Sequence, residues 1–288
     1  MPDPDCGILE GMTSPPRSVF YVPASRRKFL DKIPSLPADL ILVDLEDGVA
    51  PDEKDGAREN VRAAIASGVL GGGRPWMLRV NSGRSGLRPE DLTLVGFAKP
   101  TIVVIPKAEE PDHVRTLAAR FADHGAATAL MIETATGVAC AMELLGAHPS
   151  VCMAILGSAD LRVSLRARPD AKRLWEHHAL SHVLLAARRH GRAAIDSVYF
   201  RYQDDAGLRA HAVIARNLGY DGKSCIHPSQ IPTIHKVYSS APRERAWARR
   251  VLAAWAEGQG SAKGVVAMDG EMIEALHVTM AERILERK

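Results

Sequence analysis

The chain has 288 residues, with 46% hydrophobic and 25% charged, the composition of an ordinary folded domain rather than a disordered one. Lys and Arg number 37 against 34 Asp and Glu, a net charge of +3 with no basic block, so there is no electrostatic footprint for nucleic acid. No stretch approaches the ~18 consecutive apolar residues of a membrane span, and four widely spaced cysteines without a CxxC pair make no disulfide framework.

Residues 1–16 are acidic and Pro-rich and lack the charged-then-apolar pattern of a leader, so they read as a disordered arm, with the cytoplasm as the expected compartment. From there, short apolar runs alternate with longer amphipathic ones. The first run, Ser18–Val22, precedes a helical pattern at Ser25–Ile33. Leu40–Leu45 precedes Asp52–Ser67, Trp76–Val80 precedes Pro89–Phe97, and Ile102–Pro106 precedes Pro111–His124. Ala129–Glu133 is followed by Gly137–Leu145, Cys152–Gly157 by Ala171–His190, Ala194–Val198 by Asp204–Leu218, and Lys223–Ile226 by Pro228–Val237. Cys140, Cys152 and Cys225 sit among apolar neighbours and read as buried structural thiols.

Eight strand-then-helix units predict an α/β fold, a (β/α)8 TIM barrel, over residues 17–241. The near-continuous apolar strands suit a parallel sheet buried on both faces. An open doubly wound sheet gives the same alternation, but no GxGxxG follows the first strand, where Pro23-Ala24-Ser25-Arg26 stands instead. Residues 242–288 lie beyond the eighth unit. They predict a helix over Pro242–Glu257, a hinge at Gln259–Gly264, a short Val265–Met268 run, a turn at Asp269-Gly270 and a last helix from about Glu271. This C-terminal segment reads as a helical lid, an arm reaching a neighbouring subunit, or a helix closing the barrel.

Reactive groups of a barrel enzyme lie where its strands end. Here those ends read Val43-Asp44-Leu45-Glu46-Asp47, Arg79-Val80-Asn81, Pro106-Lys107, Glu133-Thr134, Gly157-Ser158-Ala159-Asp160, Asp196 and Ile226-His227. Converging carboxylates without a Cys or His cluster favour a hard, oxygen-liking cation, Mg2+ or in its place Mn2+. Glu133 and Asp160 end adjacent strands and can share one ion that Arg79 faces, an arrangement suited to a carboxylate and a developing oxyanion. Each acid alone also reads as a helix N-cap, Asp44 in particular, and Lys107 as one half of an ion pair. The chain has no GxSxG, P-loop or HExxH.

These segments resemble the HpcH/HpaI aldolase and citrate lyase β-subunit superfamily. The resemblance rests on Arg17-Ser18-Val19-Phe20-Tyr21-Val22-Pro23, Asp44-Leu45-Glu46-Asp47-Gly48-Val49-Ala50-Pro51, Arg79-Val80-Asn81, Pro106-Lys107 and Ile132-Glu133-Thr134. It continues through Gly157-Ser158-Ala159-Asp160-Leu161, Ala194-Ile195-Asp196, Gly219–Pro228 and Gly264–Ile273. It runs from about Arg17 to Leu285.

The resemblance implies a trimeric or hexameric barrel that uses Mg2+ to cleave a carbon–carbon bond of a CoA thioester, releasing a 2-oxo acid. By position, Glu133 and Asp160 would bind the metal and Arg79 would hold the keto oxygen. Glu46 and Asp47 would orient Arg79, Gly157, Ser158 and Ala159 would contact substrate, and Arg17, Arg26 and Lys28 would meet CoA phosphates. In CoA lyases of the family, an aspartate of the neighbouring subunit's tail reprotonates the acetyl carbon; this chain has Glu274 there. Further departures are Ser158-Ala159 ahead of the metal aspartate and Pro23-Ala24 where relatives often have Pro-Gly. Malyl-CoA or citramalyl-CoA lyase is the expected activity. A citrate lyase β subunit acting on a carrier-protein thioester, a thioesterase, and an acyl-CoA binder are the alternatives.

Overall fold

The computed structural model describes residues 14–83, 86–170, 172–258 and 264–287; the first thirteen residues of the expected arm lie outside them. Eight parallel strands close into a barrel in the order β1–β8–β7–β6–β5–β4–β3–β2, with β1 paired to β2. They are β1 (Ser18–Pro23), β2 (Leu40–Asp44), β3 (Trp76–Arg79), β4 (Ile102–Ile105), β5 (Ala127–Ile132), β6 (Val151–Leu156), β7 (Ala193–Asp196) and β8 (Gly222–Cys225). The described residues divide into two compact units, the barrel to Val237 and a tail from Tyr238 that also takes in residues 14 and 15.

Strand side chains alternate between faces, and the barrel interior shows it. Val19, Leu40, Leu42, Met77, Ile102, Val104, Ala127, Ala129, Met153, Ile155 and Ile195 form one buried cluster. Continuing the same two-residue step leads from Leu42 to Asp44, from Met77 to Arg79 and from Met131 to Glu133. The inward face of three strands therefore turns from apolar filling to charge at the C-terminal mouth.

The helices depart from the sequence pattern in four places. The first is only Arg27–Leu30 (α1), followed by a 3-10 turn Ile33–Ser35 holding Pro34, which lacks the N–H a longer helix needs. The helix expected over Gly137–Leu145 is two, Ala135–Ala139 (α5) and Ala141–Leu145 (α6), broken at Cys140, which is half-buried rather than buried. A seven-residue helix Ser158–Ser164 (α7) directly after β6 has no counterpart in the pattern, because only Leu161 of it is buried. The helix expected from Ala171, a residue outside the described set, starts at His177 and runs to Arg189 (α8), behind a 3-10 turn Leu174–Glu176. The remaining barrel helices are Lys54–Ala66 (α2), Pro89–Ala98 (α3), Pro111–Ala122 (α4), Asp205–Leu218 (α9) and Gln230–Tyr238 (α10).

Asp196 lies one residue past inward-facing Ile195 and so points away from the barrel axis. There it is fully buried in a charged network. Arg173 grips it with Nη2 at 2.6 Å and Nη1 at 3.0 Å, and Lys223 Nζ donates to it at 2.7 Å. Lys223 also donates to Ser197 O at 2.5 Å and to His211 Nδ1 at 2.8 Å, and Arg173 Nε donates to Glu176 Oε1 at 2.6 Å. Burial opposes the negative charge of Asp196, but the charges of Arg173 and Lys223 hold its carboxyl well below the usual range. Burial, reinforced by the charge of Lys223, brings His211 down to about 4.

A base lowered by folding binds its proton in the unfolded chain first. The stability His211 confers is therefore whole above about pH 6.5 and is lost as pH falls towards 4. Urea titrations across that window are expected to show an acid-side loss on the order of 3 kcal/mol that shrinks in His211→Asn. An unchanged slope in the variant would assign the loss to other groups.

In the tail, Pro242–Gly258 (α11) precedes a two-stranded antiparallel hairpin, β9 (Val266–Met268) and β10 (Glu271–Ile273), and then Ala275–Glu286 (α12). The last helix was expected from Glu271. The expected turn at Asp269 and Gly270, at φ 54° and 82°, reverses the chain so that Met272 pairs with Ala267, and the helix starts at Ala275. Ala248, Val251, Ile273 and Ala281 form the tail's own small core with Trp247 and Trp255. Glu274 is the N-cap residue of α12, its N–H donating to His277 Nδ1 at 3.0 Å. Among the described residues no helix is long and apolar enough to cross a membrane.

Candidate active site

A cavity of about 810 Å³ opens at the C-terminal mouth of the barrel. Its lining includes the apolar Phe20, Val22, Phe29, Leu36, Phe200 and Ile226. It also includes the polar Lys32, Asp44, Asp47, Arg79, Glu133, Ser158, Asp160 and His227. An apolar cleft with a few convergent polar groups is the usual form of a small-molecule site.

Arg79, the last residue of β3, is 7% exposed. Its Nε and Nη2 each lie 2.6 Å from a different oxygen of Asp44, a bidentate fork, and Nη1 is 3.3 Å from Glu46 Oε2. Met131 Sδ is 3.3 Å from Nη1, and the guanidinium lies 5.6 Å from the Tyr21 ring centre. Burial works against the charge of Arg79, but its hydrogen bonds to Asp44 and the surrounding acids raise its pKa, so it is a permanent cation. Asp44 is not an N-cap. Its two oxygens also accept from Glu46 N–H at 2.8 Å and Gly48 N–H at 2.9 Å, so it shapes the loop that carries Glu46 and Asp47. A side chain at Gly48 would put its Cβ 2.4 Å from Asp44 Oδ2, which makes glycine the residue that fits there.

Lys107, in the left-handed region at φ 48°, extends its ammonium to Glu46 and, at 2.7 Å, to Asp47. It is half of an ion pair, as one reading of the sequence had it. Burial raises the carboxyl of Glu46; burial also opposes the charge of Asp47, but the hydrogen bonds from Lys107 and Glu46 together with the charges of Lys107 and Arg79 lower its carboxyl. Lys54 adds two contacts at 2.7 Å, to the carbonyls of Leu45 and Glu46.

Glu133 is 1% exposed and accepts from Lys107 N–H at 2.8 Å. Burial pushes its carboxyl up to about 7 against the pull of Arg79, and the charge of Asp160 adds to the rise. Asp160 sits in the first turn of α7. Gly157 lets the two strand ends close up, since a Cβ there would lie 2.5 Å from Glu133. Two neighbouring carboxylates, one buried and raised by its surroundings, fit a hard divalent cation such as Mg2+. Among the described residues no group of three or more His, Cys, Asp and Glu is arranged to hold a metal ion.

The structure brings Arg79, Glu46, Asp47, Glu133, Gly157, Ser158, Ala159 and Asp160 to this end of the barrel, and His227 also lines the cavity. It does not bring Arg17. That residue precedes β1, at the opposite end, where its Nε and Nη2 bind the carboxylate of Asp39 at 2.8 Å each. Arg26 and Lys28 do not line the cavity either; Arg26 lies 3.7 Å from Glu53 and Lys28 Nζ 5.5 Å from the Phe29 ring centre. Phe29 and Lys32 are what this segment turns towards the cavity. Sequence reasoning missed Lys32, Tyr21, Met131 and the pairing of Asp44. The two-residue step of β1, β2 and β5 was the signal for the last three, and the helical spacing of Phe29 and Lys32 for the first. Glu274 belongs to the tail unit.

Comparison with known proteins covers nearly the whole chain. The HpcH/HpaI aldolase/citrate lyase pattern matches residues 17–228, and a carbon–carbon bond lyase pattern of the TIM-barrel fold matches residues 174–288. A (3S)-malyl-CoA thioesterase of Cereibacter sphaeroides is 37% identical over 95% of this chain and 94% of its own. The mitochondrial citramalyl-CoA lyase of Homo sapiens is 33% identical over 90% and 82%. The crystal structure of CitE from Mycobacterium tuberculosis with magnesium, acetoacetate and coenzyme A superposes with a TM-score of 0.80 at 33% identity, covering 96% of this chain and 99% of that one.

Proposed function

This chain belongs to the HpcH/HpaI aldolase/citrate lyase family of carbon–carbon lyases, and from that premise we propose that it cleaves a 3-hydroxyacyl-CoA thioester of the malyl-CoA or citramalyl-CoA type. The products are acetyl-CoA and glyoxylate or pyruvate. The observation that carries this reading is the grouping of Glu133 and Asp160 with the Asp44-held Arg79 in the lining of one cavity at the barrel mouth.

Cleavage removes the proton of the 3-hydroxyl, breaks the bond between C2 and C3, and leaves the electron pair on the acetyl carbon, which then takes a proton. Glu133 and Asp160 would hold Mg2+, which when bound would supply Lewis-acid polarisation of an oxygen. Arg79 donates to the oxo-acid half and stabilises the charge that develops there. Glu46 and Asp47, tied to Lys107, keep Arg79 in register. The apolar wall formed by Phe20, Phe29 and Phe200 takes the thioester arm and keeps water from the carbanion. Glu274, from the tail of a neighbouring copy in a trimer, delivers the proton to the acetyl carbon.

The relative named a malyl-CoA thioesterase supports a second reading, hydrolysis of the same thioester to CoA and the free acid. One experiment separates the two. Purified protein with Mg2+ is given malyl-, methylmalyl- and citramalyl-CoA. Acetyl-CoA or propionyl-CoA with the oxo acid is the expected product, whereas CoA with the hydroxy acid would establish hydrolysis. No turnover of any of them, together with no Mg2+ binding, would overturn both. Glu274→Gln is expected to slow turnover about 100-fold while leaving oxo-acid binding intact, and unchanged turnover would remove Glu274 from the proton transfer. Mixing Glu274→Gln with Glu133→Ala protein is expected to restore activity, because one mixed site then carries both native groups.

A further inference from the structure

The fold buries more charge than the cavity uses. Arg173, Glu176, Asp196 and Lys223 are each at most 2% exposed, and none of them lines the cavity. Arg173 sits at φ 59°, a left-handed conformation that a non-glycine residue adopts at a cost and keeps only where its surroundings enforce it. Buried ion pairs are in general no more stabilising than well-packed apolar residues of the same size. Core stability is therefore a weak reason for four such side chains and a strained backbone.

A hydrogen-bonded path leads from the network to the site. Glu176 Oε1 accepts from Arg173 Nε at 2.6 Å, and Glu176 Oε2 accepts from the hydroxyl of Ser158. Ser158 begins α7, lines the cavity and stands two residues before Asp160. Arg173 is in turn clamped to the end of β7 through both oxygens of Asp196, which Lys223 ties to β8. Glu176 is thus immobilised from one side and presents a fixed acceptor to the first residue of α7 on the other.

We propose that Arg173 and Glu176 are positioning residues for Asp160, acting through the Ser158 hydroxyl. The network holds the start of α7 at one place and one rotation about its axis, and so sets where the Asp160 carboxylate stands relative to Glu133. The inference rests on the reading of Glu133 and Asp160 as the metal pair. Partners one step behind a metal ligand commonly change metal affinity 10- to 100-fold when removed.

The test is Mn2+ binding to the purified, substrate-free protein, followed by electron paramagnetic resonance, with thermal melting recorded alongside. Ser158→Ala deletes the link and leaves every buried charge paired. It is expected to weaken Mn2+ binding about 10-fold with little change in melting temperature. Ser158→Thr, which keeps the hydroxyl, is expected to restore binding. Glu176→Gln is expected to weaken binding too, and the double variant Ser158→Ala/Glu176→Gln to bind no worse than the weaker single one, since both cut one route. Ser158→Ala binding Mn2+ within about twofold of wild type would overturn the proposal, as would losses that multiply in the double variant. A wild-type protein that binds no Mn2+ overturns the metal pair itself, and the two failures are thereby told apart.

Discussion

Glu133→Ala is expected to abolish metal-dependent turnover, a loss of at least ~10³-fold or about 4 kcal/mol of transition-state stabilisation. Glu133 is almost wholly enclosed, is fixed by the Lys107 amide, and has Asp160 as its neighbouring acid. Removing it leaves Asp160 as the single carboxylate of the pair. It also leaves Arg79 and Lys107 facing a space with less negative charge, which repels a cation. Glu133→Gln separates the two effects. It keeps an acceptor for the Lys107 amide and the packing against Gly157, so the fold is expected to survive while metal binding and turnover are lost. Steady-state rates with Mg2+ and Mn2+ titrations of both variants provide the check. Full activity in either would remove Glu133 as a ligand.

Arg79→Lys is expected to lower kcat about 100- to 1000-fold, the usual effect of removing an oxyanion donor. The charge remains, but an ammonium cannot reproduce the fork that now spans both oxygens of Asp44 at 2.6 Å each. Arg79→Met goes further. It leaves Asp44, 4% exposed, without its cation, and breaking a buried pair from one side typically costs about 3–5 kcal/mol. The methionine variant is therefore expected to fail in both melting temperature and rate, the lysine variant chiefly in rate. An Arg79→Lys enzyme with wild-type kcat would show that charge alone is enough, and the bidentate arrangement would lose its role.

The strand-end rule applied to the bare sequence found Arg79, Glu133 and Asp160 because each closes an apolar run, and a parallel barrel has its strand C-termini on one face. The same rule misjudged Asp196. Ending a strand says which end of the barrel a residue is on; the two-residue alternation says which face it takes, and Ile195 had already taken the inward one. Arg17 shows the converse. It precedes its strand, so strand direction alone sends it to the far end, where Asp39 engages it. α7 escaped notice because a seven-residue helix with one buried side chain leaves no apolar period to read. Glu271–Ile273 carries no sequence signal separating a short strand from a helix start, and the hairpin is defined by its pairing with β9.

The barrel and the charged ends of its strands are legible in the order of residues alone. Eight apolar runs separated by amphipathic stretches suit strands buried on both faces, and the count of eight favours the closed sheet that forms over an open one. Which charges work together depends on how the folded chain packs. Asp44 is 35 residues from Arg79 and Glu176 is 18 from Ser158, and each pair meets through a single rotamer choice in a packed interior. Such pairings arise from long-range closure rather than local period. They set whether a carboxylate orients an arginine, waits for a cation, or braces the helix that carries its neighbour.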